Sequence, residues 1–593
     1  MRLRRCFRAT VCSFCRLEAM ANVEAARSSF LLSGRPVLIS TGLLVAFLAL
    51  YPISWLIFGS FRTGTPLEAG VWTLENYIKA YSDRDILKTI GNTLIFAGGQ
   101  TIGAVGLGSI LAWIVTRTDT PGRTTFEFLT LVLFLFPLIM AVFAWTMLLS
   151  PNRGLINIIL VSLLGLESAP FDVNSMGGMI FVQSLYVAPL AFLIIAPAFA
   201  TMDSSMEEAA KMTGASTLTT LRRVTLPLAL PAVASASVLV FIIGLESFDV
   251  PQMLGASKGI YTYPSLMYHA IAVRYPPDYG LGTALASSLL ATTLVLVLIY
   301  RYLVRGTERF ETMKGKGHRA ALVRLGPWRW ATAIGCWLFF FLTVFLPFGI
   351  LVLGSFLGFF GRFSWAMFDR LTFENYPRLF AFPHLIEAVV NSLSLAIIGG
   401  AVCVLIAAVV GFIAVKSRLR GRGLLEGVAM LPISFPATVL GLALLWAWIV
   451  VPLPIYGTIL ILAIAYITRY LPVALRTVSG GLFQMSNEFE EAAKMSGAPW
   501  LTIFWRIILP LMKPALAAAW LLMFMIFIRE LGMSILLVGS GNPVLSVVMY
   551  DFYTSGERGL LSAASVLLML LVVGVVVLAR QLFGIRFSQF GAG

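Results

Sequence analysis

One polar stretch occurs twice in this chain, between long apolar segments. The first copy, residues 207–232, reads EEAAKMTGASTLTTLRRVTLPLALPA, and the second, residues 490–515, reads EEAAKMSGAPWLTIFWRIILPLMKPA. The copies align without a gap at a separation of 283 positions (490 − 207). Because apolar segments flank both copies, we expect each copy to form a loop at a membrane surface. A duplicated polar loop in a hydrophobic chain predicts docking sites for two copies of a soluble partner.

The composition is that of an integral membrane protein. Hydrophobic residues make up 59% of the 593 residues, charged residues make up 12%, and the mean hydropathy is +0.90. Soluble domains carry about 25% charged residues, and a membrane-spanning helix needs about 20 apolar residues. Continuous apolar stretches of that order lie at 37–60, 92–116, 127–150, 178–201, 228–248, 283–304, 330–356, 388–415, 424–451, 456–478, 515–537 and 560–583. The sequence therefore predicts an all-α integral membrane protein with twelve transmembrane helices.

The net charge of +15 is distributed by loop and does not form a nucleic-acid surface. Basic residues gather in alternate loops, among them Arg117 and Arg123, Arg222 and Arg223, and the segment 301–324. Cytoplasmic loops of membrane proteins carry this excess of Lys and Arg. We therefore expect a multi-pass protein of the bacterial plasma (inner) membrane, with both termini and both repeated loops in the cytoplasm and no nucleic-acid partner.

The duplication extends over two whole halves of the chain. Residues 74–77 read LENY and residues 373–376 read FENY. Each half holds six predicted helices, and an even number makes the halves parallel repeats. The first half is longer in one outer loop, at 151–176, which shrinks to a few residues near 452–456 in the second half.

The predicted domain organisation follows from this repeat. It consists of a basic cytoplasmic N-terminal tail at 1–36, a first six-helix half at 37–305, a cytoplasmic linker at 306–329, a second six-helix half at 330–585 and a C-terminal tail at 586–593. The Arg-rich first nineteen residues have three interpretations: a cytoplasmic tail, a targeting segment, or an extension upstream of a true start at Met20.

The repeated loop has the features of a short helix that another protein contacts. Acidic residues open it at the positive end of the helix dipole, small alanines follow, and Gly214 stands where a helix ends or turns sharply. An amphipathic helix that only anchors the chain would explain the apolar spacing but not the repeated acidic and small residues. The predicted docking residues are Glu207, Glu208, Ala209, Ala210, Gly214, Leu218, Leu221 and Pro227 in the first copy, and Glu490, Glu491, Ala492, Ala493, Gly497, Leu501, Phe504 and Pro510 in the second.

Both copies resemble the EAA motif of permease subunits of type I ABC importers. The matching residues are Glu208-Ala209-Ala210, Gly214 and Leu226-Pro227, then Glu491-Ala492-Ala493, Gly497 and Leu509-Pro510. The resemblance covers residues 37 to 585, and the wider pattern is similar to fused permeases of the ferric-iron branch, which also includes thiamine, polyamine and phosphonate importers.

This resemblance implies the type I ABC importer permease fold and a set of partners. Each loop would be a coupling helix that fits a cleft in one of two copies of a cytoplasmic ABC ATPase subunit, with Glu208 and Glu491 facing basic groups of the ATPase. A periplasmic or lipid-anchored substrate-binding protein would deliver the substrate, and membrane lipid would surround the chain.

No catalytic motif accompanies the docking loops. The sequence contains no GxxxxGK[ST] phosphate-binding loop, no HExxH and no GxSxG, so we expect a transport subunit without its own ATPase site. Five cysteines and three histidines lack the spacing of a metal site, and we predict no cofactor and no metal bound by this chain. ATP and Mg are expected on the partner ATPase subunits.

Three charged residues lie within apolar stretches, where charges are costly and mark functional sites. Glu246 follows the first docking loop, and Arg529 and Glu530 follow the second at near-equivalent positions. At 1.5 Å per residue, both acids would lie about 22–24 Å from the cytoplasmic ends of their helices. Two interpretations stay open: the three residues line the translocation pathway or its outer gate, or they form a structural ion pair between helices.

The predicted function is that of the membrane-spanning permease subunit of an ABC importer. By the resemblance, its substrate is ferric iron, with polyamine, phosphonate and thiamine as alternatives. An ATP-independent secondary transporter, also built from two parallel six-helix halves, is the alternative of another class, but it would need no ATPase-docking loops. A membrane-bound enzyme would need a constellation of catalytic residues, which the sequence does not show.

Overall fold

The computed structural model describes residues 35–68, 70–202, 205–311, 322–358, 365–417, 419–451, 453–486, 488–539 and 541–583. Within these ranges the regular structure is helical, and the only β-pairing consists of three isolated bridges. The predicted C-terminal tail, nearly all of the predicted N-terminal tail and part of the predicted linker lie outside the described residues. The proposed division into tails, halves and linker stays a prediction.

The helices of the first half run from Arg35 to Glu311. They are α1 (Arg35–Ser60), α2 (Glu75–Ser82), α3 (Arg84–Arg117), α4 (Arg123–Leu135), α5 (Leu138–Leu149), α6 (Leu155–Leu164), α7 (Met176–Ala200), α8 (Ser205–Met212), α9 (Thr217–Thr220), α10 (Leu226–Glu246), α11 (Tyr263–Tyr268) and α12 (Tyr279–Glu311). Short π-helical turns stand at Leu221–Thr225, Pro251–Gly255 and His269–Val273, and a 3₁₀ turn stands at Ala256–Lys258.

The helices of the second half follow the same order. They are α13 (Trp328–Phe340), α14 (Leu346–Ser355), α15 (Asn375–Phe380), α16 (Leu385–Ser394), α17 (Gly400–Lys416), α18 (Arg422–Met430), α19 (Ala437–Val450), α20 (Ile459–Phe483), α21 (Glu488–Met495), α22 (Trp500–Ile503), α23 (Leu509–Leu511), α24 (Lys513–Phe527), α25 (Ser534–Leu537), α26 (Leu545–Ser555) and α27 (Arg558–Phe583). The π-helical turns are Phe341–Phe345, Leu395–Gly399 and Phe504–Ile508, and the 3₁₀ turns are Trp365–Arg370 and Leu431–Ser434.

Nine helices in the described part of the chain are long and apolar enough to cross a membrane, and three bent pairs bring the number to twelve if each pair forms one span. The predicted spans 127–150 and 424–451 are not continuous helices. The first bends by 97° between α4 and α5, and the second bends by 106° between Ser434 and Ala437. Pro137 and Pro436 stand at these two breaks. Each helix ends there because proline lacks an N–H and disfavours helix in the residue before it.

The third bent pair lies where the predicted span 515–537 begins. The segment Trp500–Leu511 and the helix α24 meet at 77°. The predicted span itself ends early, because α24 stops at Phe527 and only the short α25 follows. In the first half, the corresponding helix α10 is straight enough to count as one span with the turn before it, Leu221–Glu246.

Equivalent helices make equivalent contacts in the two halves. The first long helix of each half packs against the last one, α1 against α12 and α14 against α27. Each also packs across the boundary between the halves onto the other half's bent helix, α1 against α19 and α14 against α5. Within each half, α3 packs along α7 and α17 packs along α20. One continuous apolar core joins both halves.

The repeated ENY motif is a structural anchor. Asn76 Nδ2 donates to the carbonyl oxygens of Ser60 and Arg62, at 3.0 and 2.9 Å. Asn375 Nδ2 donates to those of Ser355 and Leu357, at 2.9 and 2.8 Å. Each side chain therefore holds the chain that leaves the first long helix of its half.

A glycine of the last helix lies against each of these asparagines. A Cβ on Gly280 would stand 2.4 Å from Asn76 Oδ1, and a Cβ on Gly559 would stand 2.5 Å from Asn375 Oδ1. Real Cβ atoms do not approach oxygen so closely, so glycine allows the last helix to contact the anchor. The motif thus ties the first and last helices of each half together.

Replacing Asn375 by Ala tests this anchor. The change leaves the carbonyls of Ser355 and Leu357 without their donor in a buried place, and we expect a loss of about 1–3 kcal/mol in the free energy of unfolding, measured by thermal unfolding in detergent. The control Glu374→Ala alters an exposed neighbour and should change stability by less than about 0.5 kcal/mol. Equal unfolding temperatures for the two variants would contradict the anchor.

Candidate functional site: two motif helices and a buried charge cluster

The two copies of the repeated loop fold into helices of the same length, α8 (Ser205–Met212) and α21 (Glu488–Met495). Both end at a glycine with positive φ, +82° at Gly214 and +76° at Gly497. The N–H of Ala215 donates to Ala210 O and that of Ala498 donates to Ala493 O, each at 3.1 Å. These bonds are the 6→1 closure of a Schellman motif, which requires the left-handed residue that glycine supplies. The predicted turn at the glycine is therefore confirmed in both halves.

The two consecutive glutamates of each motif helix face opposite ways. Glu207 and Glu490 are buried, with 3% and 7% of their surface exposed. Glu208 and Glu491 are exposed. Because a helix turns by about 100° per residue, neighbouring residues cannot share one face. Only the second glutamate of each pair is free to meet another protein.

Glu207 binds within its own half. Its carboxylate forms an ion pair with the guanidinium of Arg117, at the end of α3, and accepts a hydrogen bond from Thr225 Oγ1 at 2.7 Å. Arg117 is fully buried and also donates from Nη1 to Met202 O at 3.3 Å. The ion pair therefore ties the motif helix α8 to a transmembrane helix and to the turn that leads into α10.

The second half varies this arrangement. Lys416 stands in the place of Arg117, 299 positions later (416 − 117), and its Nζ donates to Met485 O at 2.8 Å. Met485 stands 283 positions after Met202 (485 − 202), so both cations donate to the same carbonyl of the repeat. Ile508 replaces Thr225. The second half therefore lacks the hydroxyl that completes the site in the first half.

The other predicted docking residues divide by exposure. Pro227, Leu501, Pro510 and the alanines Ala209 and Ala492 are exposed, and Ala210 and Leu221 are half-buried. Phe504 and Ala493 are buried, and Phe504 contacts the rings of Phe412 and Trp500 with centroids 5.6 Å away. Leu218 lies in α9, and its side chain is outside the described part.

Exposed apolar side chains on the motif helices were missed by the sequence analysis. Met212 and Met495 are each 89% exposed, and Met206 and Phe489 are 58% and 55% exposed. They occupy matching positions of the repeat. Large exposed apolar groups mark interaction surfaces, and the shared Lys-Met after EEAA was the available signal. Each motif helix thus presents the carboxylate of its second motif glutamate and two large apolar side chains, and α21 also exposes Glu488 at its first position.

A second site lies deep in the molecule, where charges of both halves meet. Glu246 ends α10, and one of its oxygens, Oε2, accepts a hydrogen bond from Arg469 Nη2 at 2.7 Å. Arg469 lies in α20 of the second half and also donates from Nη1 to the carbonyls of Pro432 and Ile433, at 3.2 and 3.3 Å. These two carbonyls belong to the last turn before the break at Pro436. The ion pair predicted as one of two interpretations thus exists for Glu246, with a partner that the sequence analysis missed.

Arg529 contacts the helix break of the first half, between α4 and α5. Its Nη1 donates to the carbonyls of Phe134 and Phe136, at 2.9 and 3.4 Å. Phe134 and Ile433 are 299 positions apart (433 − 134) and hold the same place in the two halves. A guanidinium therefore supplies donors to carbonyls at both breaks, and both guanidinium groups come from the second half.

Glu530 is bound entirely within the second half. Tyr470 donates from its hydroxyl to Oε2, and the N–H of Met533 donates to Oε1 at 3.1 Å. Its backbone carbonyl accepts from Ser534 and Ser546, at 2.9 and 2.6 Å. With 8% of its surface exposed, Glu530 organises the chain between α24 and α25.

One further ion pair joins elements of the first half near the start of α12. Lys79 pairs with Asp278, whose carboxylate also accepts from the N–H of Leu281 at 3.0 Å. Partial burial opposes ionisation of Asp278, but the hydrogen bonds from Lys79 and Leu281 outweigh it and hold the pKa of Asp278 below its ordinary value. The described residues contain no group of three or more His, Cys, Asp or Glu side chains that could hold a metal ion.

The described chain thus has two sets of long apolar helices, each with an exposed motif helix. The family described as "binding-protein-dependent transport system inner membrane component" matches the chain twice, at residues 104–309 and 404–585. The two matches cover well over half of the chain, so it belongs to this family. It is a fused two-half permease of the type I ABC importer class, and a multi-pass protein of the inner membrane.

Relatives that are similar along most of the chain share one described activity. The ferric transport system permease protein FbpB of Actinobacillus pleuropneumoniae is 26% identical over 556 residues, 92% of this chain and 78% of the relative. A putative ferric transport system permease protein of Haemophilus influenzae is 27% identical over 526 residues, 87% and 79% of the two chains. A putative 2-aminoethylphosphonate permease protein of Salmonella typhimurium is 29% identical over 265 residues, 44% of this chain and 88% of the relative.

The buried pair at α8 gives a stability prediction. Arg117→Met keeps the apolar stem but leaves Glu207 buried without its cation, which costs about 3–5 kcal/mol when one partner of a buried pair is removed. We expect a clearly lower unfolding temperature in detergent. The control Glu208→Gln, on the exposed side of the same helix, should shift stability by less than about 0.5 kcal/mol. A destabilised Glu208→Gln together with an unaffected Arg117→Met would reverse the assignment of the two glutamates.

Proposed function

We propose that this chain forms the translocation pathway of an ABC importer and couples it to two copies of a separate cytoplasmic ATPase subunit, with ferric iron as the substrate. One observation carries the proposal: two motif helices of identical length and ending present the same carboxylate and large apolar groups at matching positions. A secondary transporter has no use for such a repeated docking surface. The ATPase subunits would bind ATP and Mg, and this chain would need no cofactor of its own.

The side that carries the motif helices is, in this proposal, the cytoplasmic side. Alternate loops rich in Lys and Arg support that orientation, and both termini then lie in the cytoplasm. A periplasmic or lipid-anchored binding protein would deliver the substrate on the opposite side. The family's own description, which refers to binding-protein-dependent transport, supports such a partner.

We assign docking to the outward side of each motif helix. Met206, Met212 and Glu208 form this surface in the first half, and Phe489, Met495 and Glu491 form it in the second. The apolar side chains would fill a cleft of the ATPase and supply most of the affinity, while each glutamate would face a basic group. Glu207 and Glu490 would hold the helices in place from within.

Ferric iron is proposed because relatives along most of the chain are described as ferric transport permeases. The phosphonate relative aligns with less than half of the chain, so it supports the alternative substrate less. Polyamine and thiamine are the remaining alternatives. Glu246, Arg529 and Glu530 stay candidates for the pathway, and Arg469 joins them.

Docking can be tested by co-purification of the ATPase subunit with the tagged chain. Met212→Asp combined with Met495→Asp places charges on two side chains that are 89% exposed, so the fold should persist while the apolar contacts are lost. We expect at least a tenfold drop in bound ATPase, about 1.4 kcal/mol of binding free energy. Met212→Leu with Met495→Leu is the matched control and should keep the ATPase. Retention of the ATPase by the Asp variant would contradict this docking surface.

The substrate can be tested by uptake in cells that lack the chain. Cells complemented with the wild type should accumulate radiolabelled ferric iron, and cells with the double Met→Asp variant should not. Excess spermidine, 2-aminoethylphosphonate or thiamine should leave iron uptake unchanged. Uptake should survive a protonophore while ATP is maintained and stop when ATP is depleted. Uptake that follows the proton gradient instead would favour a secondary transporter. Inhibition of iron uptake by one of the other solutes would make that solute the better candidate for the substrate.

A further inference from the structure

Two of the three bent helix pairs, α4–α5 and α18–α19, have backbone carbonyls at the break that accept hydrogen bonds from arginine side chains. A helix that ends inside the membrane leaves carbonyls of its last turn without intrahelical donors, and no water is present in the bilayer core to hydrate them. Arg529 supplies donors at the break of the first half, and Arg469 supplies them at the break of the second half. Both arginines are therefore positioning residues for the bent helices α4–α5 and α18–α19.

The two arginines have no arginine at the equivalent positions of the first half. The residue 283 positions before Arg469 is Tyr186, and the residue 283 positions before Arg529 is Glu246. Of the Glu246–Arg469 pair and the two break-contacting arginines, the first half thus contributes Glu246 and the second half contributes both cations. Arg529 acts across the boundary on a carbonyl of the first half, and Arg469 acts across it on Glu246. These two contacts, Arg529 to the carbonyls of Phe134 and Phe136 and Arg469 to Glu246, hold the two halves to each other.

The Glu246–Arg469 contact is incompletely satisfied. Among the described residues, Glu246 Oε1 and Arg469 Nε are buried and have no hydrogen-bond partner. Glu530 differs, because both of its oxygens accept hydrogen bonds. A buried ion pair with unsatisfied atoms contributes little net stability. The carbonyl contacts of Arg469 do not involve Glu246, so Arg469 keeps hydrogen-bond acceptors when the pair separates.

We propose that Arg469 positions Glu246 as a latch between the two halves: the ion pair, which is formed in this structure, stabilises a closed state of the pathway and separates when the halves move apart. Arg469 stays with the carbonyls of Pro432 and Ile433, and the carboxylate of Glu246 leaves with α10. The proposal rests on the proposed function, since the movement is the one that ATPase subunits would drive. The latch biases a two-state equilibrium by interacting in one state only.

The test uses the purified complex of the chain and its ATPase in lipid nanodiscs, with ATP hydrolysis measured without and with the substrate-binding protein. Glu246→Gln keeps the shape of the side chain and removes its charge. Because the closed state loses its ion pair, we expect hydrolysis without binding protein to rise by about fivefold or more, the usual lower range of allosteric coupling, and stimulation by binding protein to shrink. A merely structural role would lower assembly without raising hydrolysis.

Two matched variants complete the test. Glu246→Asp retains the charge and should stay nearer to the wild type than Glu246→Gln does. Asp278→Asn makes the same carboxylate-to-amide change in the Lys79 pair, within one half, and should leave hydrolysis unchanged. Normal hydrolysis by an assembled Glu246→Gln complex overturns the latch and leaves the proposed function intact. Failure of every Glu246 variant to assemble also overturns the latch, because the pair is then structural. Absence of ATPase from the wild-type preparation would instead refute the proposed function.

Discussion

Backbone carbonyls at two helix breaks need hydrogen-bond donors, and the buried charges of this structure are arranged around that need. Proline at positions 137 and 436 stands where each of two bent apolar helix pairs breaks, and carbonyls freed in an apolar surrounding need donors that only the protein can supply. Arginine fits this task because one planar guanidinium can donate to several acceptors and stays charged. Once two guanidinium groups are buried there, a carboxylate close by lowers their cost, and Glu246 supplies it to Arg469.

The two halves share one architecture and differ in their charges. Equivalent helices make equivalent contacts, and the ENY anchors and the motif-helix endings repeat closely. The polar and charged groups do not: Arg117 becomes Lys416, Thr225 becomes Ile508, and Glu246 becomes Arg529. Fusing the halves in one chain permits this divergence, since each half always meets the same partner. The helix packing therefore stays equivalent in the two halves, while the charged residues differ according to which side of the boundary they occupy.

The sequence predicted the features that depend on local pattern and on the repeat. It was a poorer guide to where a helix bends and to which side a side chain faces. Apolar length indicated twelve spans, and the repeat located both motif helices and the turns at Gly214 and Gly497. Two spans came out bent, because proline at the middle of an apolar run is compatible with either a kinked span or a sharp break. The alternation of Glu207 and Glu208 between interior and surface depends on tertiary contact with Arg117. Arg469 was overlooked, since its partners are distant in sequence, although a lone arginine in an apolar helix is itself a signal.

One helix connects the two sites of the first half. The turn Leu221–Thr225 places Thr225 against Glu207 of the motif helix, and α10 runs on from Leu226 to Glu246. Its 21 residues extend about 32 Å at 1.5 Å per residue, enough to cross the apolar core. A displacement of α8 that preserves the hydrogen bond between Thr225 and Glu207 therefore moves the base of α10, and a stiff helix carries that movement to Glu246. In the second half, the 77° bend before α24 interrupts this direct path, so the first half is the better mechanical link between the motif side and the latch.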